Sequence, residues 1–391
     1  MLVAVASATL LNPLNSSMIA VALVPIQTAF RVSVAEATWL ISAFFLAGAV
    51  GQPLMGRLGD EVGPRRVFVG GLVLAGLTAA VAPFAPSIGW LAALRALQAI
   101  GTAGAFPSGM TMIRAWVAPG SQSGAAPPAG ALAVLSIAAN VSAAVGPTLG
   151  GVLVELGGWP AIFLVNVPAT GLGVLLALRW LPPDRRMTPG ASVRSIVGLI
   201  DLPGVVLFGG AVGGLLAFLL SLPGGPRWEL LPVAPISAAL LIWRELRARS
   251  PFLNVRMLRP GRGLSGVYVQ FTGVNLAFYS IFFSLPLWLE KVRHVGPGLA
   301  GLIVMPLTGL GVVATVVAAQ MIRRWGPRPP LALGAAVLCL GIGLLMLLPG
   351  AASWAVILVV LAVLGLPNGF LNLGLQALLF QGAAGSEMGA A

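Results

Sequence analysis

Apolar runs of membrane-crossing length follow one another along this chain, parted by short segments rich in arginine, glycine and proline. That pattern limits the fold more than anything else. Only 8% of the 391 residues are charged, and the mean hydropathy is +0.99. Ordinary soluble domains carry roughly 25% charge, so a water-exposed surface could not be covered. In a bilayer no water satisfies the backbone, which leaves helices or closed barrels. A barrel needs segments of about 10 residues with alternating polarity. The runs here are unbroken and of helical length, about 20 residues. The reading is an all-α membrane protein.

Runs of spanning length fall at residues 3–27, 38–56, 67–85, 90–113, 129–153, 160–181, 203–222, 230–245, 266–289, 298–321, 331–349 and 352–379. That makes about 12 transmembrane helices. Basic residues orient them. Alternate connections hold Arg57, Arg65 and Arg66; Arg114; Arg179, Arg185, Arg186 and Arg194; Arg244, Arg247, Arg249, Arg256, Arg259 and Arg262; and Arg323, Arg324 and Arg328. These are 17 of the 22 basic residues, against four on the other side: Arg31, Arg227, Lys291 and Arg293. The richer side is cytoplasmic, which places both termini in the cytoplasm of a multi-pass protein of the bacterial inner (cell) membrane.

A weak repeat divides the chain. Gly63-Pro64-Arg65-Arg66 and Gly326-Pro327-Arg328-Pro329 each open a glycine-rich run, 263 positions apart. Eight helices separate them, two more than a six-helix repeat allows. The expected division is a six-helix bundle at 1–182, two inserted helices with linkers at 183–264, and four helices of a second bundle at 265–391. Repeats of this kind are typical of secondary transporters.

Within the spans, Arg95 stands out because it cannot be moved to a membrane surface. A charge at bilayer depth costs about 2.5–3.5 kcal/mol on insertion scales, and such residues face a partner or a wet cavity. A purely structural ion pair or carbonyl contact is the competing reading. Polar residues mark the rest of a candidate cavity: Asn12 and Asn15 in the first span, Gln98 in the fourth, and Gln270, Asn275, Tyr279 and Asn372 in the second half. Amides and a phenol beside apolar walls suit a lipophilic, weakly polar solute. Asn372 also fits a simple interhelical hydrogen bond.

Other chemistries find little support. The basic residues form no aromatic-interleaved patch, so nucleic acid is not a partner. A single cysteine, Cys339, and a single histidine, His294, leave no metal-ligand spacing, and no cofactor is implied. No nucleophile–base set or phosphate loop suggests an enzyme or an ATP-driven pump.

Two short motifs have physical readings of their own. In Gly56-Arg57-Leu58-Gly59-Asp60-Glu61-Val62-Gly63-Pro64-Arg65-Arg66, glycines permit a tight turn. Asp60 can pair with a neighbouring arginine or cap the next helix. In Gly146-Pro147-Thr148-Leu149-Gly150-Gly151, small residues let a second helix approach and Pro147 bends its own.

Together these motifs resemble the major facilitator superfamily, and in particular its fourteen-helix drug:proton antiporter branch. The first segment is similar to the loop signature G-x-L-x-D-x-x-G-R-R. Arg95-Ala96-Leu97-Gln98-Ala99-Ile100-Gly101 resembles the fourth-helix motif R-x-x-Q-G-x-G, with Ala99 in place of a glycine. Gly146 to Gly151 resembles the fifth-helix antiporter motif G-P-x-x-G-G. Leu14-Asn15-Ser16-Ser17 and Phe163-Leu164-Val165-Asn166-Val167-Pro168 resemble that branch's first-helix pattern and sixth-helix start.

The resemblance implies the major facilitator fold, with Gly56, Asp60, Gly63, Arg65 and Arg66 as a cytoplasmic charge lock. It also implies Gly146, Pro147, Gly150 and Gly151 as a hinge and Arg95 in proton coupling. The implied activity is export of small lipophilic drugs across the lipid bilayer by alternating access. Two departures matter. The branch carries an aspartate where this chain has Asn15, and no acidic residue lies at the centre of a span. An amide cannot titrate, so proton coupling and export without it both stay open. Counted against the branch, the last two helices are missing, which implies as the alternative a truncated, non-transporting member or a membrane partner subunit.

Overall fold

The computed structural model describes residues 1–117, 129–184, 201–247, 264–348 and 352–382. Seven arginines counted above as cytoplasmic (Arg185, Arg186, Arg194, Arg249, Arg256, Arg259 and Arg262) lie outside these residues. All regular structure described is helical. In chain order the helices are α1 (Leu2–Thr9), α2 (Leu11–Phe30), α3 (Val34–Val62), α4 (Pro64–Val81), α5 (Ile88–Ala103), α6 (Ala105–Val117), α7 (Ala129–Gly157), α8 (Ala161–Leu164) and α9 (Asn166–Trp180). They continue with α10 (Leu202–Ser221), α11 (Val233–Glu245), α12 (Leu264–Lys291), α13 (Pro297–Trp325), α14 (Arg328–Met346) and α15 (Trp354–Gly382).

Ten described helical segments are long and apolar enough to cross a membrane. The other two expected spans differ for identifiable reasons. The fourth is divided into α5 and α6, and the eighth, α11, is 13 residues long. The division of the fourth belongs to a pattern. Helices are interrupted at Leu10, Gly104 and Val165, each three residues before a proline (Pro13, Pro107, Pro168). Proline lacks an N–H and its ring crowds the carbonyl four residues back. Turn-to-turn bonds resume around each interruption, as in Leu14 N–H to Leu10 O at 3.2 Å and Ser108 N–H to Gly104 O at 3.2 Å. The chain is locally disturbed at these points and goes on. Six other prolines, Pro25, Pro53, Pro147, Pro286, Pro306 and Pro367, sit within helices without such an interruption.

Local sequence also explains where helices begin. Ser33 and Glu36 form a reciprocal capping box at α3, with Ser33 N–H donating to Glu36 Oε2 at 2.8 Å. Ser87 caps α5 by accepting from Trp90 N–H. Pro64 and Pro297 take first-turn positions where no N–H is needed.

The chain forms two compact units, interleaved along the sequence. One comprises Met1–Ser16, Pro25–Ala139 and Gly158–Val255; the other comprises Ser17–Val24, Asn140–Gly157 and Arg256–Ala391. In the first, Val5, Phe68, Leu72, Met112, Leu135 and Ala177 gather into one apolar core. Helices α4 and α5 meet at Gly71 and Gly101, where a methyl on Gly71 would stand 2.3 Å from the Gly101 carbonyl oxygen. Helix α10 packs on α3 in this unit, with Gly213 opposite Leu46.

In the second unit, α13 and α15 pack along glycines. A methyl on Gly365 would meet the Leu307 carbonyl oxygen at 2.4 Å, and one on Gly369 the Gly311 carbonyl oxygen at 2.4 Å. The α7 segment around Pro147 lies against α13 in the same way. Added methyls on Gly151 and Gly301 would stand 2.4 Å from the Pro297 and 2.3 Å from the Pro147 carbonyl oxygens. Thr148 and Thr308 tie the two helices, donating to Gly301 O at 3.1 Å and Ala144 O at 3.0 Å. In lipid there is no hydrophobic drive between helices, so close small-residue contact and hydrogen bonds hold them.

These obstructing atoms are backbone and cannot rotate aside. Gly301→Ala is therefore predicted to destabilise by about 1–3 kcal/mol, the usual cost of overpacking. Gly309→Ala, which meets nothing within 4 Å, is the control. Melting of the purified protein in detergent checks this: Gly301→Ala melts several degrees lower, and Gly309→Ala melts with the parent.

Candidate functional site

Arg95 lies in the middle of α5, 2% exposed, on the face that α2 and α3 cover. One terminal nitrogen donates to Gln98 Oε1 at 3.1 Å, one turn along the same helix. The other donates to the Asn15 backbone carbonyl on α2 at 3.2 Å. The guanidinium lies 4.2 Å from the centre of the Phe44 ring on α3 and 5.9 Å from that of Phe163. Its Nε is buried without a hydrogen-bond partner among the described residues. Gln98 also reaches Asn15 Oδ1 at 3.5 Å, and Asn12 Nδ2 donates to Thr102 Oγ1 at 2.9 Å. The expected group Asn12, Asn15, Arg95 and Gln98 is thus brought together, and in this conformation it is closed over. Ion pairs join Arg66 to Asp184 and Arg244 to Asp201; among the described residues no carboxylate pairs with Arg95.

The residues expected as a charge lock meet a distant acid, Asp184, in place of the local Asp60. Gly63 has φ +112°, a conformation open to glycine, and turns the chain from α3 into α4. The new helix is capped by Asp184, which accepts from the Arg65 N–H and the Arg66 N–H, both at 2.9 Å. The Arg66 Nε stands 4.0 Å from the same carboxylate, and the Arg65 side chain donates to the Leu178 carbonyl. A methyl on Gly63 would overlap the Asp184 carboxylate at 2.4 Å. Asp60 is exposed and takes no part in this cap. Gly56 faces Pro107 with ordinary contact. Sequence proximity does not reveal Asp184, because more than a hundred residues separate it from the loop it caps.

Of the hinge motif, Gly146, Pro147, Gly150 and Gly151 are buried. A methyl on Gly150 would approach the Met18 carbonyl oxygen at 2.9 Å. In the second unit the predicted cavity residues divide. Asn275 donates to Asn372 Oδ1 at 3.1 Å and to its own helix at the Phe271 carbonyl, and Asn372 bonds Asn368. Gln270 and Tyr279 are exposed.

The acids sit at helix ends. Glu155 on α7 accepts from the Gly298 N–H at 3.1 Å in the first turn of α13, where the helix dipole favours an anion. Glu290 near the end of α12 has a buried Oε1 without a hydrogen-bond partner among the described residues. Asp201 caps α10, accepting from the Gly204 N–H at 3.1 Å, and one of its oxygens also receives the Arg244 Nε at 2.9 Å. Burial works against the Asp201 charge, but the bonds from Arg244 and Gly204 and the charges of Arg244 and Arg57 outweigh it. Its pKa is held below the ordinary aspartate value.

Ten described segments of membrane-crossing length, together with a guanidinium enclosed by amides and aromatic rings, define a polytopic helical membrane protein with the build of a solute carrier. Residues 5–391 match the Major Facilitator Superfamily. The chain is 39% identical over 388 residues to YwoD of Bacillus subtilis, an uncharacterized MFS-type transporter, covering 99% of this chain and 84% of that one. It is 30% identical over 358 residues to the tetracenomycin C resistance and export protein of Streptomyces glaucescens, covering 90% of this chain and 62% of that one. Among solved structures it is similar to a bacterial homolog of the human lysosomal transporter Spinster. There the TM-score is 0.56 at 18% identity, over 100% of this chain and 75% of that one, a likeness of fold alone. The chain belongs to the Major Facilitator Superfamily; it is a secondary transporter by family and not an enzyme.

The Asp201 site makes a pH prediction. Its lowered folded pKa contributes stability that is fully present above the unfolded value, about 3.9, and is lost as pH falls through the folded value. Asp201→Asn should therefore melt lower than the parent at pH 6. The gap should close as pH approaches 3, which melting curves across that range would record.

Proposed function

We propose that this chain exports small lipophilic solutes across the bacterial cell membrane by alternating access. The observation that supports this most is the Arg95 group. A charge held at bilayer depth by neutral partners is costly to keep and useful chiefly where a solute must be recognised. Drug-export relatives add to the reading: the Streptomyces glaucescens protein is named for tetracenomycin C resistance and export, and a Mycobacterium tuberculosis relative is called a multidrug resistance protein.

In this reading, 1–182 and 265–391 belong to the two pseudo-repeats and 183–264 is an insertion between them. The Gly63 turn with Arg65, Arg66 and Asp184 latches the cytoplasmic side of one state, with Asp60 available to the other. The Gly146–Gly151 segment serves as a smooth bearing surface. Both termini are cytoplasmic. Proton coupling would need a titrating group other than position 15, and Glu155, Glu290 and Asp201 are the acids nearest to that role.

Accumulation of a fluorescent lipophilic dye tests the reading. Cells expressing the correctly inserted chain should hold less dye than controls, and Arg95→Ala should remove most of the difference. Equal accumulation with and without the protein would overturn export. Unchanged efflux by Arg95→Ala would reduce Arg95 to a structural residue.

A further inference from the structure

Resting on the export reading, we infer that the Arg95 guanidinium is an anion site, so that the solute this chain carries is a lipophilic monoanion. Three observations converge on this. First, the charge is permanent, because arginine does not deprotonate in proteins. Second, it is uncompensated among the described residues: its partners there are the Gln98 amide, the Asn15 backbone carbonyl and the Phe44 ring, all neutral. Third, it is under-used. A guanidinium has five N–H donors, and two hydrogen bonds engage it. The buried Nε is among the donors left over.

A planar fork with free donors is the arrangement that takes a carboxylate or sulfonate by two parallel bonds. A cation would meet repulsion there, and a neutral ring would leave the charge as it is. The surroundings set the rest of the chemistry. Phe44 and Phe163 flank the guanidinium, so the ligand is an acid on an apolar or aromatic body. Phe44 covers the site in this conformation and has to move for an anion to enter.

The inference also explains how transport could run with Asn15 where an acid would titrate. Export of a monoanion carries one negative charge outward, down the inside-negative potential of a cell. That gradient alone supports an outward-to-inward ratio of about fifty for each 100 mV. No proton needs to bind within the membrane.

Three probes sharing one ring test this: naphthalene-1-sulfonate, naphthyl-trimethylammonium and 1-methoxynaphthalene. Each is loaded into phosphatidylcholine proteoliposomes containing the full 391-residue chain, and an inside-negative potential is imposed with potassium and valinomycin. Protein-dependent, saturable efflux of the sulfonate, faster with the potential than without, is expected. Arg95→Gln should lower it by about tenfold or more, the factor that goes with losing a charge-assisted hydrogen bond, and Arg95→Lys should restore part.

Preference for the ammonium or the neutral ring, compared with no potential imposed because an inside-negative potential itself holds a cation back, would overturn the anion site while leaving export standing. Movement of none of the three would overturn both. Sulfonate efflux indifferent to the potential would overturn the electrical driving force. Because the comparison of probes uses the unaltered chain, it decides the question even if Arg95→Gln fails to fold.

Discussion

A bilayer offers a polypeptide no hydrogen bonds, and every other feature of this chain follows from living with that. Each backbone N–H and carbonyl within the hydrocarbon must find a partner inside the protein. Helices supply most of them. Where prolines remove a donor, the chain yields locally at Leu10, Gly104 and Val165 and then resumes. Where helices must meet without a hydrophobic drive, glycines bring backbone against backbone, as at Gly71 with Gly101 and Gly301 with Pro147. Against such economy, a fully buried guanidinium is the exception that asks for a purpose.

Arg95 is stabilised by what neutral groups can offer: an amide, a carbonyl and the face of Phe44. An exposed cation–π contact is worth roughly 0.5–1 kcal/mol and a desolvated one about 2 kcal/mol or more. Hydrogen bonds to a charged group add about 1.5–3 kcal/mol each. These terms are large enough to hold the charge in place, and they leave it open to an ion that could do better. Three carboxylates are instead engaged at helix N-termini. Asp184 caps α4, Asp201 caps α10 and Glu155 sits on the first turn of α13. Anions at helix N-termini reinforce the fold, so these acids have structural work where they stand.

Much of this was legible in the residues. Apolar run length gave the spans, because helix rise and bilayer thickness leave little freedom. Arg95 was legible through its depth in a run, and Gln98 as a polar residue within the same span. The fold and the family followed from motifs that are local in sequence. What could not be read was partnership across distance. Phe44 over Arg95, Asp184 under Gly63, and Arg244 on Asp201 each join residues many positions apart. Nothing local marks Asp184 as the cap in place of Asp60, since each is an acid near basic residues. Gln270 and Tyr279 look equivalent to Asn275 by type and span. Only the packing shows that Asn275 joins Asn372.

Transport requires the Arg95 group to open to water during a working cycle, although it is closed over here. Cys339 is the single cysteine, so a Cys339→Ser background allows one new thiol to report. Thr102→Cys, nearly equal in volume and beside Asn12, places that thiol within the group. A membrane-impermeant thiol reagent is expected to modify it from the aqueous phase, with a rate that changes when a transported solute is added. A thiol that stays unreactive from both sides, with and without solute, would contradict it.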